Sequence, residues 1–541
     1  MGNHCVRLDI KRGNFKGDSL SPLLFVICMM PLSYVLRKMS PGYTLGTEKI
    51  NHLFFMDDLK LFCKNESETN SLISSVHAIS KDIKMEFGIQ KCGLLVMKRG
   101  KPIRTQGIKL DDEIVVDIEE TGYKYLGILE WNNIQENKMK EKFRHEYLRR
   151  ARLILKSKLN GRNKVQAINT WAVSLMRYGA GIINWRKDEL KEMDRRTRKL
   201  MTMNGVLSPS SDVARLYVKR KRGGRGLIGV ESCVRSEENS LAWYVRHSPE
   251  VMLEMVKAHG HLKTNESMEP KVFKREEKSE VFSGWKDKKL HGQFLSENPE
   301  VDWDKTWGWL SKGDLKGTTE SLICSAQEQS LRTNYVKFHI DKSIESPMCR
   351  MCAQKGESVS HLVSECTKLA QREYKRRHDN VARYVHWKIS EKNNLERGKE
   401  WYNHKPEACV ENEEYKLLWD MMIQGDHHIQ ARKPDIVLLN KKKKEVKIID
   451  IAIPGDTRVR EKELEKIEKY QPLRDELARL WGLKKAKVIP VVIGALGVIS
   501  RKFEGYIKEC DDNIRLEVMQ KTTLLGTARL LRKVLTMEGE R

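Results

Sequence analysis

The chain has no apolar run that reads as a bilayer crossing. Its most hydrophobic stretch, Leu20 to Leu36, is short for a span and is interrupted by Pro22 and Pro31. The N-terminal stretch lacks the pattern of a cleavable secretory leader. Disulfide patterning is missing too. The 11 cysteines in 541 residues are an odd count and build no small framework, so a reducing compartment is expected, nucleus or cytoplasm. Only Cys349, Cys352 and Cys366 sit at metal-like spacing. Acidic residues are in deficit, 74 against 100 Lys and Arg, which leaves a formal net charge of +26. That excess suits a nucleic-acid binder, because neutralising phosphates releases counterions. An anionic membrane surface would answer the same charge, and composition does not separate the two. A chain of this length is expected to form several domains, each with its own core.

The stretch Asn51 to Phe62 stands out against that background. Leu53–Met56 and Leu59–Phe62 read as two short apolar strands, with Asp57-Asp58 as the tight turn between them. Adjacent carboxylates on a rigid hairpin tip can share divalent cations, and hard oxygen ligands suit Mg²⁺. A pair of such ions stabilises the attacking and leaving oxygens of nucleotidyl transfer. A plain acidic turn is the competing reading. Upstream, Gly13 and Gly17 allow close backbone approach to a ligand, and Asp18 or Ser19 can cap a helix that reaches Arg37. Downstream, a helix from about Glu66 to Glu86 precedes strand-like pieces at Gly93–Met97 and Lys124–Leu129.

Gly17-Asp18-Ser19-Leu20-Ser21-Pro22-Leu23-Leu24-Phe25, then Phe55-Met56-Asp57-Asp58, then Tyr125-Leu126-Gly127 resemble, in that order, the palm of non-LTR retrotransposon reverse transcriptases. The resemblance implies that the Gly17, Asp18 and Ser19 segment contacts template and incoming nucleotide. It also implies that Asp57 and Asp58 bind catalytic Mg²⁺ and that the Leu-Gly strand grips the primer. The family places a further metal-binding Asp, and the fingers, well before the Gly-Asp segment. Here sixteen residues precede Gly17, Asp9 lies too close to the loop, and Lys16 stands where Gln is usual. Residues 1–129 are therefore expected to be the later half of a palm, N-terminally truncated, with polymerase activity impaired.

Residues 130–235 read as helical and basic. They carry the runs Arg149–Arg152, Arg195–Lys199 and Lys219–Arg225 beside Trp171, Trp185 and Tyr217. Each run is a solvated helix face in the simplest reading. Together they suggest a duplex-gripping thumb using Arg196, Lys219, Arg220 and Arg222, since phosphates need cations and bases stack on aromatics. The section 236–345 has Trp285, Trp303, Trp307 and Trp309, which imply a packed region, but no chemistry.

Cys349-x2-Cys352-x8-His361-x4-Cys366 offers three thiolates and an imidazole, the donor set of tetrahedral Zn²⁺. Its order resembles the knuckle between polymerase and nuclease in site-specific non-LTR elements, and Arg376–Val381 looks similar as well. His378 and His386 are possible extra ligands, although lone histidines are more often structural. Further on, Arg432-Lys433-Pro434-Asp435 opens one apolar strand, and Glu445–Pro454 forms a second after a lysine turn at 441–444. That hairpin can bring Asp435 and Asp450 together as metal ligands. A helix is expected from about Asp456 to Trp481, with Leu464, Ile467, Leu473, Leu477 and Leu480 on one face. A buried strand at Lys485–Leu496 would follow. These features resemble the restriction-like endonuclease of the same class of elements. There Pro-Asp, a spaced Asp and a helical Lys-Tyr form the site, matched here by Lys469-Tyr470, with Lys466 one turn away.

The expected architecture is multidomain α+β. It comprises a partial reverse-transcriptase palm (1–129), a helical thumb (130–235), a helical linker region (236–345), a zinc knuckle (346–390) and an α/β restriction-like endonuclease of the PD-(D/E)XK type (410–541). The chain resembles the C-terminal part of a site-specific non-LTR retrotransposon polyprotein. The family's nuclease nicks target DNA, and the freed 3′ hydroxyl primes copying of the element RNA. Expected cofactors are Mg²⁺ or Mn²⁺ and Zn²⁺. Expected partners are element RNA, duplex target DNA and, for a competent polymerase, dNTPs, with no membrane; the expected location is the nucleus, with RNA assembly in the cytoplasm. The alternative is a decayed or repurposed protein that binds nucleic acid without catalysis.

Overall fold

Pro22 and Pro31 do not break the first helix. In the computed structural model, which describes residues 19–45, 48–85, 88–110, 113–260, 267–296, 298–426 and 429–537, α1 runs Ser21–Lys38. Pro22 lies in the first turn, where an N–H would have had no intrahelical partner. Leu20 stands at the N-cap, so Ser19 lies one residue too early for that place, and Gly17 and Asp18 lie outside the described residues. By length and composition α1 is sufficient to cross a bilayer, contrary to the reading from its prolines. One of its faces buries Met29, Leu32 and Leu36 against Leu72 and Val76 of α2 (Glu66–Asp82).

The chain divides into two units. The first is Met1–Arg144, Gly179–Trp185 and Glu237–Glu269; the second is His145–Tyr178, Arg186–Ser236 and Pro270–Arg541. In the first unit, β1 (His52–Phe55) and β2 (Asp58–Leu61) form an antiparallel hairpin next to α1. The piece expected as one strand at Lys124–Leu129 is instead a second hairpin, β3 (Tyr123–Tyr125) and β4 (Ile128–Glu130). Its turn residues Leu126 and Gly127 take φ of 46° and 82°. Positive φ at both central positions is the turn that matches strand twist.

Several apolar cores hold the second unit among the described residues. Trp285, Trp307 and Trp309 cluster with Val218, just before the basic run Lys219–Arg225, and with Leu524 and Ala528 of a long C-terminal helix. Within the stretch that was silent in the sequence, the Trp-rich part after Pro270 is thus a scaffold, packed against Val218 at the start of the basic run Lys219–Arg225. Buried arginines stitch it: Arg215 lies over the Trp285 ring at 4.8 Å and pairs with Glu328 at 3.4 Å, while Arg225 pairs with Glu320.

A mixed five-stranded sheet forms the second core. With α3 as Lys375–Lys392, its strands are β5 (Cys409–Glu411), β6 (Tyr415–Trp419), β7 (Ile436–Asn440), β8 (Glu445–Ala452) and β9 (Lys485–Val492), in that spatial order. All pairs are antiparallel except β8 and β9, which are parallel and joined through α4 (Val459–Leu480). β9 is an edge strand, which is where Pro490 is tolerated. Alternation along the strands sorts the two faces. Ile436, Leu438, Ile449 and Ile451 pack with Val381, Val385 and Ile389 of α3, whereas Val437, Val446 and Ile448 pack with Tyr470, Leu473 and Leu477 of α4. The expected apolar face of α4 is therefore only partly right. Leu464 is exposed and Glu463 is buried in its place.

The third core lies under the cysteines. Cys349, Leu362, Val363 and Cys366 pack with Ala495, Leu496, Leu530, Leu531 and Val534, the last three on α5 (Leu516–Thr536). The segment at 346–390 shares its core with the sheet domain rather than standing apart, and α3 belongs to both.

Candidate functional site

In the first unit the β1–β2 turn is Met56-Asp57, with Met56 at φ 56°, and Asp58 opens β2 opposite Phe55. Both carboxylates are exposed at the tip. The base is firmly held. Asn51 Nδ2 donates to the Leu36 carbonyl at 2.5 Å, its Oδ1 meets His52 Nδ1 at 2.7 Å, and His52 Nε2 meets Ser33 Oγ at 2.9 Å. Lys60 reaches the second hairpin, 2.6 Å from Glu130 and 4.8 Å over the Tyr125 ring. The three sequence landmarks are thereby partly united: Asp57-Asp58 and Tyr125-Leu126-Gly127 adjoin, and Ser19 is exposed just before α1. Among the described residues, neither Asp57 nor Asp58 belongs to a set of three ligands able to hold a metal.

The basic residues of 195–225 have divided roles. Arg196 is exposed and paired with Glu192 at 2.9 Å, and Lys219 is exposed. Arg222 is exposed and lies over Phe282 at 5.3 Å. Arg220 is engaged: it pairs with Glu320 at 2.8 Å and donates to the Leu310 carbonyl at 2.8 Å, so its part is to brace the scaffold. Of the aromatics proposed for stacking, Trp171 is exposed, Trp185 is buried, and Tyr217 is inward, accepting from Arg198 at 2.8 Å.

Cys349, Cys352, His361 and Cys366 converge, with all four ligand atoms within 4.8 Å of one another. Cys349 and Cys366 sulfurs stand 4.0 Å apart, and Cys352 Sγ is 3.3 Å from His361 Nε2. Sulfurs bound tetrahedrally to Zn²⁺ at about 2.3 Å stand about 3.8 Å apart, so the cluster fits that ion. A tight turn with Ala353 at φ 54° folds the first pair back. Tyr374 locks the second, its hydroxyl accepting from Cys366 N at 3.0 Å and donating to the Leu362 carbonyl at 2.8 Å. Burial pushes the Cys349 thiol up to about 12, a protonated state that a bound cation would overturn.

The other cluster sits at the mouth of the β7–β8 hairpin. Ile436 pairs with Ile449, so one more step of the register sets Asp435 opposite Asp450. Directly opposed residues share a face, and their Cβ atoms lie about 5 Å apart. Asp450 is buried, 2 % exposed, and its Oδ2 has Lys466 Nζ at 2.5 Å without hydrogen-bond geometry. Burial first and the Asp435 charge second push its carboxyl above the usual carboxylate range, against the pull of Lys466. Tyr470 donates to the Lys433 carbonyl at 3.1 Å, and Lys469 donates to the Tyr470 hydroxyl at 3.1 Å. The two carboxylates are oxygen donors of the kind a hard divalent cation takes, but among the described residues no third side-chain ligand joins them, and Asp435 Oδ2 accepts from Ile451 N at 2.7 Å.

Two corrections concern this cluster. The lysine in contact with Asp450 is Lys466, not Lys469; its i, i+4 spacing to Tyr470 was the available signal. His378 is not a ligand of the cysteine cluster. It reaches from α3 to Asp435 Oδ2 at 3.1 Å, with Asp379 at 3.0 Å on its other nitrogen. Burial opposes its charge, but the bonds to Asp379 and Asp435 prevail and lift it to about 10. His386 is also no metal ligand: it stacks on His404 in the core, 2.8 Å between nitrogens, and burial holds it down to about 3. On the outer side of α3, Arg376 and Arg383 line two adjoining cavities of about 360 and 290 Å³. Lys375 flanks the first, and Arg529, Trp401 and Tyr402 flank the second.

Two comparisons bear on the chain. Residues 3–129 match the family model described as reverse transcriptase (RNA-dependent DNA polymerase). Over 127 residues the chain is 32 % identical to the retrovirus-related Pol polyprotein from type-1 retrotransposable element R2 of Nasonia vitripennis. That alignment covers 22 % of this chain and 12 % of the relative. A reverse transcriptase region is therefore present, similar to that of a non-LTR retrotransposon, and reverse transcription implies an RNA template.

Proposed function

We propose that the chain is part of a retrotransposon polyprotein in which the second unit is a metal-dependent DNA endonuclease and the first contributes to the polymerase palm. The observation that carries the nuclease reading is the cross-strand pair Asp435–Asp450, backed by Lys466 and Tyr470 from the following helix. Asp435 and Asp450 would hold Mg²⁺ or Mn²⁺, which when bound would supply charge stabilisation and an activated water. The protein's own part is positioning. Lys466 sets one positive charge beside the scissile phosphate. Tyr470 fixes the loop before Asp435 through the Lys433 carbonyl. Arg376, Arg383 and Arg529 neutralise the backbone while exposed Tyr402 offers a stacking face. The lysine turn at 441–444 is exposed, although Lys441 and Lys442 lean on Glu411 and Glu414.

Lys466 and Lys469 are expected to separate kinetically. Lys466→Ala should slow plasmid nicking by about a hundredfold or more, with DNA affinity little changed, as for loss of one preorganised charge at a reacting centre. Lys469→Ala should cost less than about tenfold, because its ammonium rests on the Tyr470 ring at 4.6 Å. Equal losses in single-turnover nicking would return the role to Lys469.

Zn²⁺ at Cys349, Cys352, His361 and Cys366 is proposed as a structural ion that fixes the entry to α3. In the first unit, Asp57 and Asp58 are proposed as Mg²⁺ ligands of nucleotidyl transfer. Since no third ligand joins them among the described residues, primer extension on an RNA template should be weak. Robust incorporation that vanishes in Asp57→Asn would overturn that expectation. Nicking of target DNA, priming from the nick and action in the nucleus follow as parts of the same proposal. The competing reading, binding without cleavage, draws on the Lys466–Asp450 ion pair, which balances the carboxylate without a cation. Conversion of supercoiled plasmid to open circle with Mg²⁺ or Mn²⁺, stopped by EDTA, tests the choice. Binding in a gel shift with no nicking in either metal would favour the competing reading.

A further inference from the structure

We propose that the outer face of α3 is a groove for a single-stranded nucleic acid, with phosphates on Arg376 and Arg383 and one unpaired base against Tyr402. This rests on the nucleic-acid reading of that face given above, but not on cleavage. The two adjoining cavities, of about 360 and 290 Å³, share Arg376, Asn380 and Arg383 and so form one continuous groove. Among the described residues, Arg372, Lys375, Arg376, Arg383 and Arg529 hold no ion pair and no side-chain hydrogen bond. Both carboxylates of the lining are already engaged, Asp379 with His378 at 3.0 Å and Glu373 with Lys533 at 2.8 Å. No acid in the groove is left to balance its cations. Elsewhere in the second unit arginines are paired, as Arg220 and Arg225 are with Glu320. A concave surface with cations left over fits a polyanion.

Spacing and aromatic groups decide the form of the strand. Arg376 and Arg383 stand two turns apart on one helix face, about 10 Å along the axis. That distance spans about three nucleotides of a stacked strand. Tyr402 lines the second cavity and is 57 % exposed. Its ring meets Trp401 at 6.0 Å and 81°, and Trp401 meets the buried Tyr384 at 5.3 Å. Tyr402 is thus backed by the core while much of its ring stays open. Leu525 of α5, 43 % exposed, adds an apolar wall to the same cavity. Gly526 lets α5 come this close to α3, since a Cβ there would meet Arg377 Cγ at 2.7 Å. A duplex has little use for such groups, because its base faces are covered by their neighbours; an unpaired base stacks on them. A cavity of about 290 Å³ is at the small end of ligand pockets, so it takes one nucleotide and not two paired strands.

The test uses the full chain without added Mg²⁺ or Mn²⁺, so that binding is read without cutting. Fluorescence anisotropy compares a DNA strand, an RNA strand and a DNA duplex of one length and sequence, at several salt concentrations. Tyr402→Ala should weaken at least one of the single strands about fivefold or more, the loss of one stacked base, and the duplex less than about twofold. Tyr402→Phe should bind like the parent, since the ring alone is needed. Changing Arg376→Ala and Arg383→Ala together should weaken the same strand about tenfold or more. It should also flatten the salt slope by about 1.4, the share of two single-strand phosphate contacts. Loss confined to DNA or to RNA supports the groove and names its strand. In the parent, a strand carrying 5-iodouracil should photo-crosslink to Tyr402, a readout that depends on no variant folding. Unchanged single-strand affinity in Tyr402→Ala, duplex binding weakened as much as single-strand binding, or crosslinks only elsewhere would overturn the groove while plasmid nicking stands. A parent that binds no nucleic acid would overturn both.

Discussion

Asp435→Ala and Asp450→Ala should each leave supercoiled plasmid uncut under conditions in which the parent protein converts it to open circle. The loss expected is on the order of a thousandfold or more, since on the proposed reading each change removes an oxygen ligand of the cation. DNA affinity should be kept or slightly raised. Binding rests on Lys and Arg neutralising phosphates, and both aspartates oppose DNA until a cation lies between them. Asp450 is the more telling of the two, because its carboxyl is buried and raised by Asp435, so Asp435→Ala should also ease its ionisation. Gel-shift titration at two salt concentrations beside the plasmid assay distinguishes lost chemistry from lost binding. Parent-like nicking by both variants would remove the site assignment.

Loss of the zinc proposed for the cysteine cluster should have the largest effect on stability. Purified, reduced protein is expected to carry one Zn²⁺, and Cys349→Ser or Cys366→Ser should release it. In small zinc modules metal binding is folding energy. Here the ligands share a core with α5, with Cys366 and Cys349 almost wholly buried, so the damage should spread into the second unit. A fall in melting temperature of about 10 °C is expected, together with reduced nicking through displacement of α3. Elemental analysis without zinc, or an unchanged melting curve after its removal, would contradict this.

Local pattern was enough to read several elements. The β1–β2 hairpin, the four-ligand cluster and the β7–β8 hairpin each lie within a short window, where period-two alternation, turn residues and ligand spacing act directly. The misreadings came from distance or from special backbone. Lys124–Leu129 looked like one strand because a turn built from Leu126-Gly127 carries only one glycine. Arg220 looked like a phosphate ligand because Glu320, its partner a hundred positions on, is invisible locally. His378 was set beside the cysteines by proximity in sequence, yet Asp435, 57 positions later, is its contact. The silence of 236–345 has the same origin: Trp285 and Trp307 take their meaning from Arg215.

The position of α5 bears on when the protein becomes competent. That helix gives Met519 to the sheet core, Leu524 and Ala528 to the tryptophan cluster, and Leu530, Leu531 and Val534 to the cluster beneath the cysteines. Its Thr527 also holds Arg377, next to His378, across 150 positions. A ribosome adding about 5–20 residues per second needs on the order of ten to thirty seconds to travel from α3 to the end of α5. Throughout that interval the sheet is uncovered on its α5 side, and the arm carrying His378 lacks its anchor. Contacts of such long sequence separation form late, so a chain still in translation is bound to its message before the proposed cutting site is finished.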